Sequence, residues 1–314
     1  MMKHIYISSC DKSGGIYHYA FENGNLNFVN KTPLDRPMYA IVRERKLYVI
    51  LRETDVATHF GGLLSFDIDC SGNLVNATEI ESTNGICPCH LEVTGNEKFI
   101  VNYLSGNLVK VGEKTVSHSG KSIHPTRQEA AHTHFVAVST DQQYVLCSDL
   151  GLDTVFVYDR KLNDVSSAKV PEGSGCRHLC FHGNLVYCVN ELSSDVSVFT
   201  FENGILTLLG TYDAIPDYKR ESTAAAIRVY ENRLYVSHRG ADCVSCFEIC
   251  GDTLKLLWNT PCGGHAPRDF NVVDGYLICA NEGGNISVLR LFDNGAELIS
   301  NDIQMRDPLC VTIL

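Results

Sequence analysis

Four short apolar segments recur along the second half of the chain: Val155–Tyr158 (VFVY), Val196–Phe199 (VSVF), Val244–Phe247 (VSCF) and Ile286–Leu289 (ISVL). Their starts lie 41, 48 and 42 residues apart. Such a period constrains the fold more than composition does, because each copy is one small unit that cannot bury its apolar face alone and must stack on the next. The flanks repeat too. One β-like run precedes each segment (Tyr144–Ser148, Leu185–Asn190, Arg233–His238, Tyr276–Asn281) and another precedes that (Phe135–Val138, Leu179–Phe181, Ile227–Val229, Phe270–Val273). A fourth run follows each (Val165–Val170, Leu206–Tyr212, Leu254–Trp258, Glu297–Asn301). None carries the apolar stripe of an amphipathic helix.

The turns agree with four-stranded units. Phe21-Glu-Asn-Gly24 and Phe201-Glu-Asn-Gly204 are identical, and Asn294-Gly295 holds the same relative place. Asn-Gly supplies the two positive-φ positions of a tight hairpin. Ala40–Val42, Leu47–Leu51, Leu63–Phe66 and Leu74–Thr78 make one further unit; His90–Val93, Phe99–Tyr103, Leu108–Val111 and Thr115–His118 make another. The N-terminal runs His4–Ser9, Ile16–Phe21 and Leu26–Asn30 supply only three strands, and Leu309–Leu314 supplies the fourth. The expectation is an all-β, seven-bladed β-propeller in a single domain, 1–314, its ring closed by pairing of the N- and C-terminal strands. The even spacing disfavours a β-sandwich array.

Charge and composition narrow the partners. Lys plus Arg number 26 against 37 Asp plus Glu, a formal charge of −11, which argues against nucleic acid or an anionic membrane as partner. The residues 1–15 hold only a short apolar stretch, Ile5–Ile7, and no run approaches the roughly 18 apolar residues of a membrane span. The expectation is a cytoplasmic protein. In that setting the 14 cysteines, many inside apolar runs (Cys147, Cys180, Cys188, Cys246, Cys279), are expected to be reduced core thiols. The sequons at Asn30, Asn76 and Asn285 are then chance matches.

Alignment of the units places ionisable residues at equivalent junctions. First strands open with Pro88-Cys-His-Leu91, His132-Thr-His-Phe135, Cys176-Arg-His-Leu179, Ala224-Ala-Ala-Ile227 and Pro267-Arg-Asp-Phe270. Second strands end with Asn102-Tyr103, Asp149-Leu150, Asn190-Glu191, His238-Arg239 and Asn281-Glu282. In a propeller these positions face the channel mouth. His132 and His134 are two apart and share a face of an extended strand, suited to general-base work near neutral pH. Glu191 follows the apolar run Leu185–Val189 and can orient a histidine or exchange a proton. Arg177, Arg239 and Arg268 enter from successive units, and guanidinium suits bidentate binding of phosphate or carboxylate and stabilisation of an oxyanion. The competing role for each is an ion pair between blades, such as Arg268 with Asp269. Cys87-Pro-Cys-His90 and the cluster Cys243, Cys246, Cys250 lack a second pair at zinc-like spacing.

In these motifs the chain resembles the seven-bladed lactonase family, which includes the propeller type of 6-phosphogluconolactonase and the carboxy-muconate lactonising enzymes. The resemblance runs along the whole chain. It rests on Pro88–Leu91, Arg127-Gln-Glu129 with His132–His134, Asp149-Leu-Gly-Leu-Asp153, Arg177–Leu179, Asn190–Ser194, Ser222–Ala225, Arg239-Gly240, Pro267–Phe270 and Pro308–Val311. Three positions depart from the family pattern: Cys176 stands for Pro, Ala226 for an acidic residue, and His238 for the Asn before Arg239.

The resemblance implies hydrolysis of a sugar-derived lactone, foremost 6-phosphogluconolactone to 6-phosphogluconate in the pentose phosphate pathway. It implies His134, Glu191, Arg177 and Arg239 as catalytic residues, and His90, Tyr103, Arg127, His132, His178 and Arg268 as substrate-binding ones. No cofactor or metal is implied; the partner is a phosphorylated or carboxylated lactone, and the oligomeric state is left open. A muconate-type lactonising cycloisomerase and a non-catalytic binding scaffold are the alternatives, since fold alone does not fix function.

Overall fold

A computed structural model describes residues 2–314 as seven antiparallel sheets. They fall into two compact units, Met1–Pro88 with Thr260–Leu314, and Cys89–Asn259. Among the described residues the fourteen cysteines are thiols rather than disulfides. No helix there is long and apolar enough to cross a membrane.

The first unit holds three blades. In blade I the spatial order is Pro308–Ile313, Lys3–Ser9, Gly15–Glu22, Asn25–Pro33. The last strand therefore pairs with the first, Ile5 opposite Ile313 and Ile7 opposite Val311, as the strand count requires. Blade VII is Pro267–Val273, Tyr276–Asn281, Asn285–Phe292 and Gly295–Gln304. Blade II departs from the expected four strands. Its outer strand is only Leu74–Val75, and a further strand, Glu81–Ile86, pairs with the other end of Phe60–Ile68. The break follows from Asn76, whose φ of 52° turns the chain out of the ladder directly after Val75.

The second unit holds blades III to VI: Pro88–Thr94 to Lys114–Ser117, Thr133–Val138 to Asp164–Lys169, Cys176–His182 to Ile205–Asp213, and Thr223–Tyr230 to Thr253–Pro261. Inner strands are sandwiched between neighbouring sheets. Leu185–Asn190 is buried at all six positions, so it reads as a continuous apolar run rather than an alternating one. The outer strand Asp164–Lys169 is exposed or half-buried throughout and ends in lysine, which protects a free edge. Between blades V and VI, Tyr187, Val189, Val196 and Val198 pack with Ile227, Leu234, Val236 and Phe247.

Asn23-Gly24 and Asn203-Gly204 adopt the expected paired positive φ values, 51° and 84°, and 51° and 80°. The third Asn-Gly is used differently. Gly295 already pairs with Phe292, so Asp293-Asn294 forms the turn.

A polar fastener repeats at the end of three second strands, in blades V, VI and VII. Asn190 Nδ2 donates to Ser197 Oγ (2.8 Å) and Asn281 Nδ2 to Ser287 Oγ (3.0 Å). His238 Nε2 does the same to Ser245 Oγ (2.8 Å), whose own proton goes to the Ala214 carbonyl (2.8 Å). These serines are the second residues of the recurring VSVF, VSCF and ISVL segments. The cysteine that replaces the family's Pro is also accommodated: the buried Cys176 thiol contacts the Asp149 and Thr154 carbonyls at 3.1 and 3.2 Å.

Two predictions follow from this architecture. Deleting residues 308–314 removes the inner strand of blade I, including buried Leu309, Cys310 and Val311. Each such side chain is worth about 1.5–3 kcal/mol, a large share of the roughly 5–15 kcal/mol that holds a domain folded. The expected result is loss of cooperative thermal unfolding; an unchanged Tm would overturn it. The second concerns His238, whose pKa burial pushes down to about 3 from 6.5. Below pH ~6.5 the unfolded chain takes up a proton that the folded chain refuses until about pH 3, so stability is lost as pH falls through that window. His238→Asn keeps a donor for Ser245, as Asn190 and Asn281 do for their serines. It should flatten the acid dependence of urea unfolding by up to about 1.4 kcal/mol per pH unit. Identical slopes in both proteins would refute the assignment.

Candidate active site

The first strand of most blades contains one extra residue. Thr133 pairs with Asp149 and Phe135 with Ser148, with His134 the extra residue between them. Cys176 pairs with Asn190 and His178 with Val189, with Arg177 between them. In the same place stand Ala225 and Ala226 in blade VI, Arg268 in blade VII and Met38 in blade II. A bulge of this kind bends the strand and re-aims the extra side chain. His134, Arg177 and Arg268 thus owe their orientation to a broken ladder. The simple alternation that puts His132 and His134 on one face does not hold across it.

In the second unit the bulge brings Arg177 onto Glu191, which directly follows the second strand of the same blade. Arg177 Nε donates to Glu191 Oε2 at 2.8 Å, and both side chains are 2% exposed. Arg239, 17% exposed, reaches the same oxygen at 3.0 Å. Arg127, 37% exposed, donates from Nη2 to Oε1. Burial alone would raise the Glu191 pKa, but Arg239, Arg177, His134 and Arg127 outweigh it and hold the carboxyl well below its ordinary range. Arg177 Nη1 also donates to the Ala225 carbonyl (2.7 Å), and Arg239 Nη2 to that of Ala224 (3.3 Å). Ala224 and Ala225, just before the departure at Ala226, therefore act through their backbone. Tyr103 hydrogen-bonds Arg127, and burial raises its pKa against that cation.

The histidines surround this cluster in two ways. His134 lies 5.3 Å from the His178 ring and 5.6 Å, edge-on, from Tyr103. His132 stacks on Tyr103 at 4.4 Å, with Nδ1 at 3.0 Å from the Tyr103 carbonyl and Nε2 at 3.3 Å from Glu129. His178 and His90 are buried beside them. Burial, then Arg177, His134, His90 and Arg228, push His178 well below 6.5, and its Nε2 accepts from Arg177 Nη1 at 3.1 Å, which requires the neutral ring. His90 is buried against Phe135 at 3.9 Å, its Nδ1 accepting from the Val136 N–H at 3.4 Å.

Of the predicted residues, His134, Glu191, Arg177, Arg239, Arg127, Tyr103, His132, His178 and His90 all belong to the second unit. Arg268 belongs to the first. There it pairs with Glu282 (3.2 Å), and the Asp269 carboxylate accepts from the Val311 N–H at 3.0 Å. Arg268–Glu282 repeats in blade VII the sequence relation of Arg177–Glu191, fourteen residues apart in both. Sequence reasoning missed Glu129, which lay inside a quoted motif. It also missed His118, which bridges the Asp149 carboxylate and the Tyr158 hydroxyl at 2.7 Å each.

Among the described residues no group of three or more His, Cys, Asp or Glu is placed to hold a metal ion. The arrangement instead offers fixed positive charge, an ionised buried carboxylate and a group of histidine side chains beside them. Residues 4–313 match the family described as Lactonase, 7-bladed beta-propeller. An uncharacterized protein of Staphylococcus epidermidis is 30% identical over 338 residues, covering 98% of this chain and 96% of its own. Two solved structures share the fold. One is the Pseudomonas aeruginosa periplasmic gluconolactonase (TM-score 0.90, 23% identity, 100% and 99% of the two chains). The other is a Bacteroides fragilis protein named a "putative 6-phosphogluconolactonase" (TM-score 0.89, 24% identity, 99% and 98%). With seven repeated blades and a match spanning almost its full length, the chain belongs to the lactonase family of seven-bladed β-propellers.

Proposed function

We propose that the chain hydrolyses a sugar-derived lactone bearing an anionic group, with 6-phosphogluconolactone as substrate and 6-phosphogluconate as product. The observation that carries this reading is the cluster on Glu191. Three guanidinium groups share one carboxylate, a formal surplus of two positive charges, and two of the three reach solvent. In a chain of net charge −11 such a surplus is a place for an anion. The names of the two solved relatives, a gluconolactonase and a 6-phosphogluconolactonase, point to the same substrate class.

In this mechanism Arg127 and Arg239 bind the phosphate and the lactone carbonyl. Arg177, enclosed and shared with Ala225, positions Glu191. Glu191 stays ionised, holding the guanidinium groups in place. The proton work falls to His134. It accepts a proton from water as the water oxygen attacks the carbonyl carbon, and a guanidinium stabilises the oxyanion. The ring C–O bond then breaks and His134 returns the proton to the departing oxygen, giving a hydroxyl and a carboxylic acid, which releases its own proton to solvent as the carboxylate.

Steady-state kinetics separate these roles. Arg127→Ala and Arg239→Ala should mainly raise KM, and more for the phosphorylated lactone than for gluconolactone. His134→Ala should mainly lower kcat, by on the order of 10²–10⁴. If a folded His134→Ala protein keeps wild-type kcat, His134 is not the base; if wild type opens no lactone in a panel of phosphorylated and unphosphorylated sugars, the reading falls. Stability gives an independent check. Glu191→Gln leaves Arg177 buried without its counter-charge and should cost about 3–5 kcal/mol in urea unfolding. Arg127→Ala removes a partly exposed partner and should cost about 1 kcal/mol or less. Equal losses would contradict the division between the buried and the solvent-facing arginine.

A further inference from the structure

We propose that Asp153 is a positioning residue for the anion pocket: it clamps the segment that delivers Arg127 to the segment that delivers Arg177. The inference rests on the reading of the Glu191 cluster as that pocket. Asp153 is 1% exposed, and its carboxylate accepts four hydrogen bonds. Oδ1 takes Gln128 Nε2 (2.7 Å) and the Gly175 N–H (2.6 Å); Oδ2 takes Ser122 Oγ (2.5 Å) and the Gly173 N–H (2.8 Å).

Two stretches of chain meet at this one side chain. Residues 118–132 contain no strand, so no ladder fixes their path. Buried Gln128 fixes it instead, through Asp153 and the Leu150 carbonyl (2.9 Å), and the adjacent Arg127 reaches Glu191. On the other side, Gly175 precedes Arg177 by two residues, and its carbonyl accepts the Glu191 N–H at 2.7 Å. Asp153 therefore touches both lead-ins to the cluster without touching the cluster itself. All four acceptor sites of the carboxylate are used by neutral donors. An Asn at this position keeps the shape but turns an NH2 group toward two donors, so one side of the clamp must open. Arg177 is also held by Ala225 and by the ladder pairs on either side of it, Cys176 with Asn190 and His178 with Val189. Arg127 is held only by Glu191, Tyr103 and this loop, so it is the arginine that loses its place.

The test is Asp153→Asn, read first by limited trypsin digestion of the intact folded protein, which needs no substrate. Cleavage after Lys121 and Arg127 should accelerate by about 10-fold or more over wild type, with other sites unchanged. In the lactone assay KM should rise with kcat nearly constant. Adding Arg127→Ala should then raise KM far less than it does in wild type, the non-additivity of two residues acting as a unit. A folded Asp153→Asn protein with wild-type digestion at both bonds overturns the proposal. Should that variant not fold, Ser122→Ala and Gln128→Leu each remove one donor and leave the carboxylate; faster cleavage at the same bonds supports the clamp, and none in either refutes it. Loop opening in a protein whose wild type opens no lactone keeps the clamp and removes the lactonase reading. Arg127-dependent turnover that Asp153→Asn leaves untouched does the reverse.

Discussion

A charged side chain cannot remain in the apolar layer between two stacked sheets, and the first strands of these blades are apolar on both faces. The extra residue in most first strands resolves the conflict. It steps out of the ladder, so Arg177 leaves the layer that holds Cys176 and Leu179 and meets Glu191 instead. The cost of burying either ion alone would be several kcal/mol. The bulge and the carboxylate therefore depend on each other: one gives the guanidinium its direction, the other makes that direction tolerable. Blade VII uses the same device with Arg268 and Glu282, whereas blade VI fills the bulge with alanines and offers carbonyls to the arginines of the site.

Burial and charge divide the titrating groups near Glu191 into separate tasks. Three guanidinium groups hold the carboxylate ionised, which makes it a weak base and a fixed negative centre. Enclosure first, and then the adjacent Arg177 charge, keeps His178 neutral and lets it accept from Arg177. Neither group is suited to exchanging a proton near neutral pH. In the proposed mechanism, binding of the anion and acid–base chemistry therefore both rest on this single electrostatic arrangement.

The positions that depart from the family pattern are absorbed locally. Cys176, in place of a proline, directs its thiol at two carbonyls of the neighbouring blade. His238, in place of an asparagine, still reaches the serine that its counterparts Asn190 and Asn281 reach in theirs. His238 thus meets the same hydrogen-bonding demand as the asparagines with a titratable ring, whereas Cys176 adds thiol contacts that a proline could not make.

The chain's own order of residues determined the number of blades, the pairing of Leu309–Leu314 with the first strand and the two Asn-Gly hairpins. All three express local backbone preference or a period, and both survive without knowledge of distant contacts. It also brought Arg177, Glu191 and Arg239 into view, because these occupy equivalent places in repeated units. Tertiary structure alone decided the rest. Arg127 comes from a stretch without strands, so no period marks where its guanidinium arrives. Arg268 occupies the same bulge as Arg177 yet meets Glu282, because each bulge arginine pairs with the acid that follows its own second strand. Blade II splits its outer strand where Asn76 turns the chain, and Asp153 gathers four donors from segments 20 to 31 residues away in sequence. A repeat specifies which way a strand runs and which face it buries; which carboxylate a guanidinium finds depends on the path of the loops through space, and that path is set only when the sheets have packed.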